Sequence, residues 1–140
     1  MVKLAGCWEI GWNTPFMEAN LWEFMAKEYA VQAIVMEPVS GIFRPFFEET
    51  DSLLDTIEAH RQDGWTIVFC DEGASTDLIT FEHPEKALYV FGKASFSPFR
   101  SGYNAPGDLS VKLTTQLNQG GFWPHQAAAI VLHDRFNKGA

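Results

Sequence analysis

Three apolar runs in this chain end in residues that suit ligand binding. Residues 65–70 are followed by Asp71-Glu72-Gly73, residues 87–91 by Gly92, and residues 109–113 by Thr114 and Thr115. Where apolar strands lie parallel in an open sheet, ligands bind beyond their carboxyl ends. A glycine there lets backbone come close to a ligand because it has no Cβ; it also serves as a plain turn residue. Phe122-Trp123-Pro124-His125 leads into the last apolar segment. His125 at a helix start can act as a general base, although a helix N-terminus disfavours its charged form. A partly exposed histidine without a chemical role fits that position as well. Trp123 can stack on a flat ring, fill an interface or join the core. Arg44 and Arg100 each lie in a stretch rich in Phe and Pro. Either can stabilise a developing oxyanion, or remain a surface or interface arginine.

Other chemistries find less support. Cys7 and Cys70 are far apart, both within apolar runs and without a Cys-His signature, which predicts buried free thiols in a reducing compartment. His60, His83, His125 and His133 show no paired spacing, so no metal site is expected. Neither G-x-x-x-x-G-K-[ST] nor G-x-G-x-x-G occurs, which argues against a nucleoside triphosphate or a nicotinamide dinucleotide.

The elements that must position these residues alternate. Residues 4–10 read as a strand. Thr14 as cap and Pro15 at the first helical position open a helix to about residue 30. Met17, Leu21, Phe24 and Met25 recur at helical spacing and mark its expected inward face. Residues 31–39 contain the apolar run 33–36 and read as a strand covered on both faces. Residues 40–49 read as loop. A second helix covers 52–62, with Ser52 to Asp55 as a capping start, Leu53, Leu54, Ile57 and Arg61 inward, and Gly64 after its end. Residues 65–70, 87–91 and 109–113 are the remaining strands. A short helical turn near Leu78 and Ile79, a long loop over 93–108 and a polar loop over 114–123 connect them. Long loops in compact domains are usually functional or disordered. Pro124 opens the last helix, which runs to about Phe136. Its Ala127-Ala128-Ala129 allows close packing, and Ile130, Val131 and Leu132 suggest cover almost all round. Helices alternating with strands predict a mostly parallel sheet flanked by helices on both faces.

At 140 residues, residues 1–140 form one expected domain. The chain is 46% hydrophobic and 20% charged, with five Trp and twelve Phe. So many rings in a small core suggest that some serve an interface or a ligand pocket. The formal charge of −8 argues against a broad basic surface for gripping nucleic acid, though not against a local basic patch. No signal peptide and no apolar stretch of membrane-spanning length is evident, which predicts a cytoplasmic protein without membrane contact.

In their order, Ala87-Leu88-Tyr89-Val90-Phe91-Gly92, then Leu109 to Thr115, then Gln126 to Arg135 resemble the cofactor half of SPOUT RNA methyltransferases, the SpoU/TrmD type of α/β-knot enzyme. The resemblance implies an α/β fold with a C-terminal trefoil knot and S-adenosylmethionine as cofactor. It also implies an RNA substrate, tRNA among the candidates, methylated on a ribose 2′-oxygen or a base nitrogen, and a homodimer completing the site. Carried onto this chain, it places cofactor contacts at Phe91, Gly92, Leu113, Thr114, Thr115, Phe122 and Trp123; the catalytic candidates, Arg44 and His125, come from the residues themselves. Two departures stand out. Ribose-methylating relatives carry an arginine in the first helix, where this chain has none and Phe24 is the closest position. The Ser/Asn-containing segment before the last helix is replaced by one with Trp123 and His125. A SPOUT scaffold that binds cofactor or RNA without catalysis is therefore one rival reading, and an unrelated small-ligand α/β enzyme the other.

Overall fold

Among the described residues, all strand-to-strand pairings run parallel. The computed structural model describes residues 1–9 and 15–140. Its strands are β1 (Val2–Cys7), β2 (Ile34–Glu37), β3 (Phe47–Glu49), β4 (Thr66–Cys70), β5 (Ala87–Phe91) and β6 (Leu109–Val111), and its helices α1 (Phe16–Glu28), α2 (Leu53–Gln62) and α3 (Pro124–Asn137). The sheet order is β3-β2-β1-β5-β4-β6, with Leu4 opposite both Ile34 and Tyr89. Among the described residues, no helix is long and apolar enough to cross a membrane.

The period of two along each strand divides the core. Leu4, Ile34, Met36, Val68, Tyr89 and Phe91 face α1 and α3. Ala5, Val35, Ile67, Phe69, Leu88 and Val90 face α2, where Phe96, Phe99 and Tyr103 from the β5–β6 loop add cover. Every residue of β5 is buried, as its unbroken apolar run predicts for a central strand. Ser52 caps α2 by accepting from Asp55 N at 3.2 Å, and Gly64 follows at φ +85°.

Several expectations need correction. Of the expected inward face of α1 only Met25 packs against the core: Ala19, Trp22 and Ala26 are buried, whereas Met17, Leu21 and Phe24 are exposed, Phe24 by 66%. Small Ala19 and Ala26 let α1 settle on the sheet beside α3, and the bulkier stripe is left outside. Leu54 likewise faces out of α2, with His60 buried in its stead. The loop expected over 40–49 contains edge strand β3, a three-residue piece with only Phe47 buried. On α3, Ala128, Val131, Leu132 and Arg135 are buried but Ile130 is exposed, so one side of this helix is open in the single chain. The cap expected at Thr14 lies outside the described residues.

A buried polar chain ties α3 to β5. Arg135 donates to Pro84 O at 2.5 Å, Glu85 O at 2.9 Å and Tyr89 Oη at 2.9 Å. Tyr89 Oη lies 2.7 Å from His83 Nδ1, and His83 Nε2 lies 2.7 Å from Asp134 Oδ2. Burial holds His83 below the usual histidine range. A neutral ring then accepts from Tyr89 and donates to Asp134, which satisfies both nitrogens. Arg135→Ala leaves two carbonyls and a phenol short of a donor in a dry setting. We expect a loss of about 2–4 kcal/mol in urea unfolding; a loss below about 1 kcal/mol would show that water replaces the guanidinium.

Candidate ligand site at the strand ends

Parallel pairing sends the carboxyl ends of β4, β5 and β6 to one edge of the sheet. There they meet the first turn of α3 around a cavity of about 710 Å³, a size typical of small-molecule sites. Cys70, Phe91 and Val111 belong to its strand-end wall. Phe91, Gly92, Leu113, Thr114, Thr115, Phe122 and Trp123, the positions singled out in the sequence, all line it.

Each wall has a local cause. Asp71, whose side chain is 8% exposed, organises the β4 side. Its carboxylate accepts from Ser97 Oγ at 2.6 Å and Gly73 N at 2.8 Å, and pairs with Arg100 Nε at 3.1 Å. This fastens the turn after β4 to the loop after β5. Gly92 sits under that loop: a Cβ there would lie 2.6 Å from Phe96 O and 3.3 Å from Ser97 Cα. The close approach that requires glycine is thus between two parts of the chain itself. On the β6 side, Thr114 Oγ1 donates to the Asp77 carboxylate, and this bond, with the backbone N–H of Ile79, holds Asp77 below the usual carboxylate range. Thr115 and Asn118 exchange reciprocal side-chain-to-backbone bonds of 2.8 and 3.0 Å. The Glu72 carboxylate occupies the place where a Cβ on Gly120 would sit, and Gly120 also has φ +63°. Glu9 closes the far side by accepting from Ala94 N at 3.1 Å.

Trp123, Pro124 and Ala127 line the cavity from α3. His125, between them on the helix, points elsewhere. Its ring meets the edge of Trp22 at a centroid distance of 6.3 Å, and burial holds it below the usual histidine range. Arg44 is also elsewhere. It donates to Asn20 Oδ1 at 2.6 Å and pairs with Glu23 at 3.6 Å on the outer side of α1. The β2–β3 crossover has by then returned to the opposite sheet edge, where Phe46 O accepts from Ile34 N. Within the chain, neither residue expected to be catalytic lines the cavity. The arginine that does is Arg100.

Burial pushes the Cys7 thiol up to about 11 and the Cys70 thiol higher still, so neither is a thiolate at neutral pH. Among the described residues, no group of three His, Cys, Asp or Glu side chains could hold a metal ion. Aromatic faces, threonine hydroxyls and charges of both signs are what the cavity offers.

Reasoning from sequence did not assign Glu9, Lys93, Lys112 or Asn118 to the site.

No family model matches the sequence, and no curated protein matches it. Solved structures do share its fold. The SpoU methyltransferase AviRb of Streptomyces viridochromogenes, solved with AdoMet, superposes with a TM-score of 0.72 at 14% identity, over 97% of this chain and 57% of that one. The TrmH/SpoU tRNA-modifying enzyme of A. aeolicus gives 0.73 at 14%, over 99% and 77%. A protein solved in work on 2-OH methylation of C/U34 on tRNA gives 0.73 at 13%, over 99% and 97%. At such identities the likeness establishes the fold, a parallel α/β sheet of the SpoU/TrmH kind.

Gly92→Ala forces the 96–98 backbone away from the end of β5. We expect a loss of about 1–3 kcal/mol in urea unfolding, with faster amide exchange across 93–108. Unchanged exchange there would mean that the loop does not rest on Gly92.

Proposed function

We propose that this chain is an S-adenosylmethionine-dependent methyltransferase acting on RNA, with tRNA among the candidate substrates. The observation that carries the reading is the meeting of three strand ends and the α3 start on one cavity, in a fold shared with SpoU/TrmH-type enzymes. One of those enzymes was solved with AdoMet, and another belongs to work on tRNA methylation. When bound, the cofactor supplies an electrophilic methyl group on a sulfonium. The chain's part is to hold and shield it. Phe122 and Trp123 offer flat faces for the adenine, the hydroxyls of Thr114 and Thr115 and nearby backbone groups can receive the polar atoms, and Phe91, Gly92 and Leu113 close the inner side. We read the C-terminus as knotted, as the resemblance to SPOUT enzymes implies. A cytoplasmic location goes with this reading.

We infer a homodimer as well. Met17, Leu21 and Phe24 on α1, and Ile130 and Phe136 on α3, leave apolar surface exposed on neighbouring helices. Large apolar patches of this kind mark interaction surfaces. A second reading, a cofactor-binding protein without catalysis, has its own support: α1 has no arginine, and the cavity's Arg100 is already paired with Asp71.

Calorimetric titration with S-adenosylmethionine and S-adenosylhomocysteine tests the proposal. It predicts micromolar binding of both, weakened at least about tenfold, or about 1.4 kcal/mol, by Gly92→Ala. No binding at millimolar ligand would remove the cofactor and the function with it. Binding without methyl transfer to a total RNA pool would select the second reading. For the dimer, sedimentation equilibrium is expected to show two chains per particle and one for Phe24→Asp; a wild-type monomer would contradict it.

A further inference from the structure

The chain holds ten Lys and Arg against eighteen Asp and Glu, yet Lys93, Arg100 and Lys112 all line the same cavity. Three carboxylates line it too: Asp71 is taken by Ser97, Gly73 and Arg100, Glu9 accepts from Ala94 N, and Glu72 lies beside Gly120. Among the described residues, the Lys93 and Lys112 ammonium groups have no carboxylate within 4.0 Å. Two unpaired cations and one held arginine, three of the chain's ten cationic side chains, thus gather at one cavity, where their charge can meet an anion.

Arg100 is presented in a fixed pose. Asp71 engages its Nε at 3.1 Å and its Nη2 at 3.4 Å, and Ser97 Oγ accepts from Arg100 N at 3.1 Å. The side chain is nevertheless 61% exposed, with Nη1 outside that pairing. An arginine ordered in advance loses less freedom when it binds a phosphate. A cationic groove that tracks the backbone phosphates is how proteins hold single strands.

We propose that Lys93, Arg100 and Lys112 form the docking rim for the phosphates of a single-stranded RNA segment, with Asp71 and Ser97 as positioning residues for Arg100. This rests on the methyltransferase reading and names the part of the chain that receives its substrate.

The test is fluorescence anisotropy of a labelled oligouridylate of about 12 nucleotides, titrated at several salt concentrations with S-adenosylhomocysteine present. Arg100→Ala is expected to weaken binding about 5–10-fold at low salt and to lower the log–log salt slope by about 0.7, the value for one lost contact to a single strand. Lys93→Ala and Lys112→Ala are expected to lower the slope similarly. Lys86→Gln, which removes the same charge at the opposite sheet edge, is expected to leave the slope unchanged. Asp71→Asn makes the rim more positive yet releases the guanidinium; positioning predicts weaker binding, and tighter binding would overturn that role. Calorimetry must show S-adenosylhomocysteine affinity within about twofold of wild type for the Arg100 and lysine variants. Rim variants that behave like Lys86→Gln, or that lose the small ligand instead, overturn the proposal. If wild-type protein binds the small ligand but no oligonucleotide, the rim falls and the cofactor reading stands. If it binds neither, both fall.

Discussion

Parallel strand pairing is the constraint on which the rest of this molecule depends. With all six strands running one way, each connection must cross from one sheet edge to the other. The carboxyl ends accumulate at one edge, and the loops leaving β4, β5 and β6 have to share it. A cavity forms where they fail to fill that space. Its residues are recruited by topology from positions as distant in sequence as Glu9 and Ala127.

Loops at such an edge need their own fastening, since they lie outside the strand ladders. Here the fastening is polar. Asp71 ties the β4 turn to the β5 loop, Thr114 is bound to Asp77, and the Thr115–Asn118 pair closes the last turn before α3. The two glycines that matter most, Gly92 and Gly120, make room for other parts of the chain. The pocket wall is therefore built before any ligand arrives. At Arg100 the carboxylate that secures the loop also holds the guanidinium at the cavity.

Much of this was legible in the sequence where local signal and tertiary environment agree. Strand β5 has an unbroken apolar run because both its faces are covered, and Gly92 marks its end. Pro124 marks the start of α3, and Ser52 and Gly64 bracket α2. Legibility failed where two answers share one pattern. Helix α1 carries two stripes at helical spacing, Ala19/Trp22/Ala26 and Met17/Leu21/Phe24, and periodicity cannot say which one meets the sheet. Close packing chose the smaller. Strand β3 buries one side chain of three, too little for an alternating pattern to emerge. Arg44 resembled a site residue because of its loop composition, but the crossover had already carried it to the opposite edge. His125 is next in sequence to lining residues, and the helical turn rotates it onto Trp22. Arg100 was visible as a loop arginine, while its pairing with Asp71 depends on a fold that joins residues far apart in the chain.

The central claim is that this edge of the sheet is a cofactor cradle, and amide hydrogen exchange with and without S-adenosylhomocysteine tests it most directly. The account predicts protection confined to the turn after β4, the loop after β5 around Gly92, and residues 113–124, with α2 and the far sheet edge unchanged. Protection elsewhere, or none at saturating ligand, would contradict it.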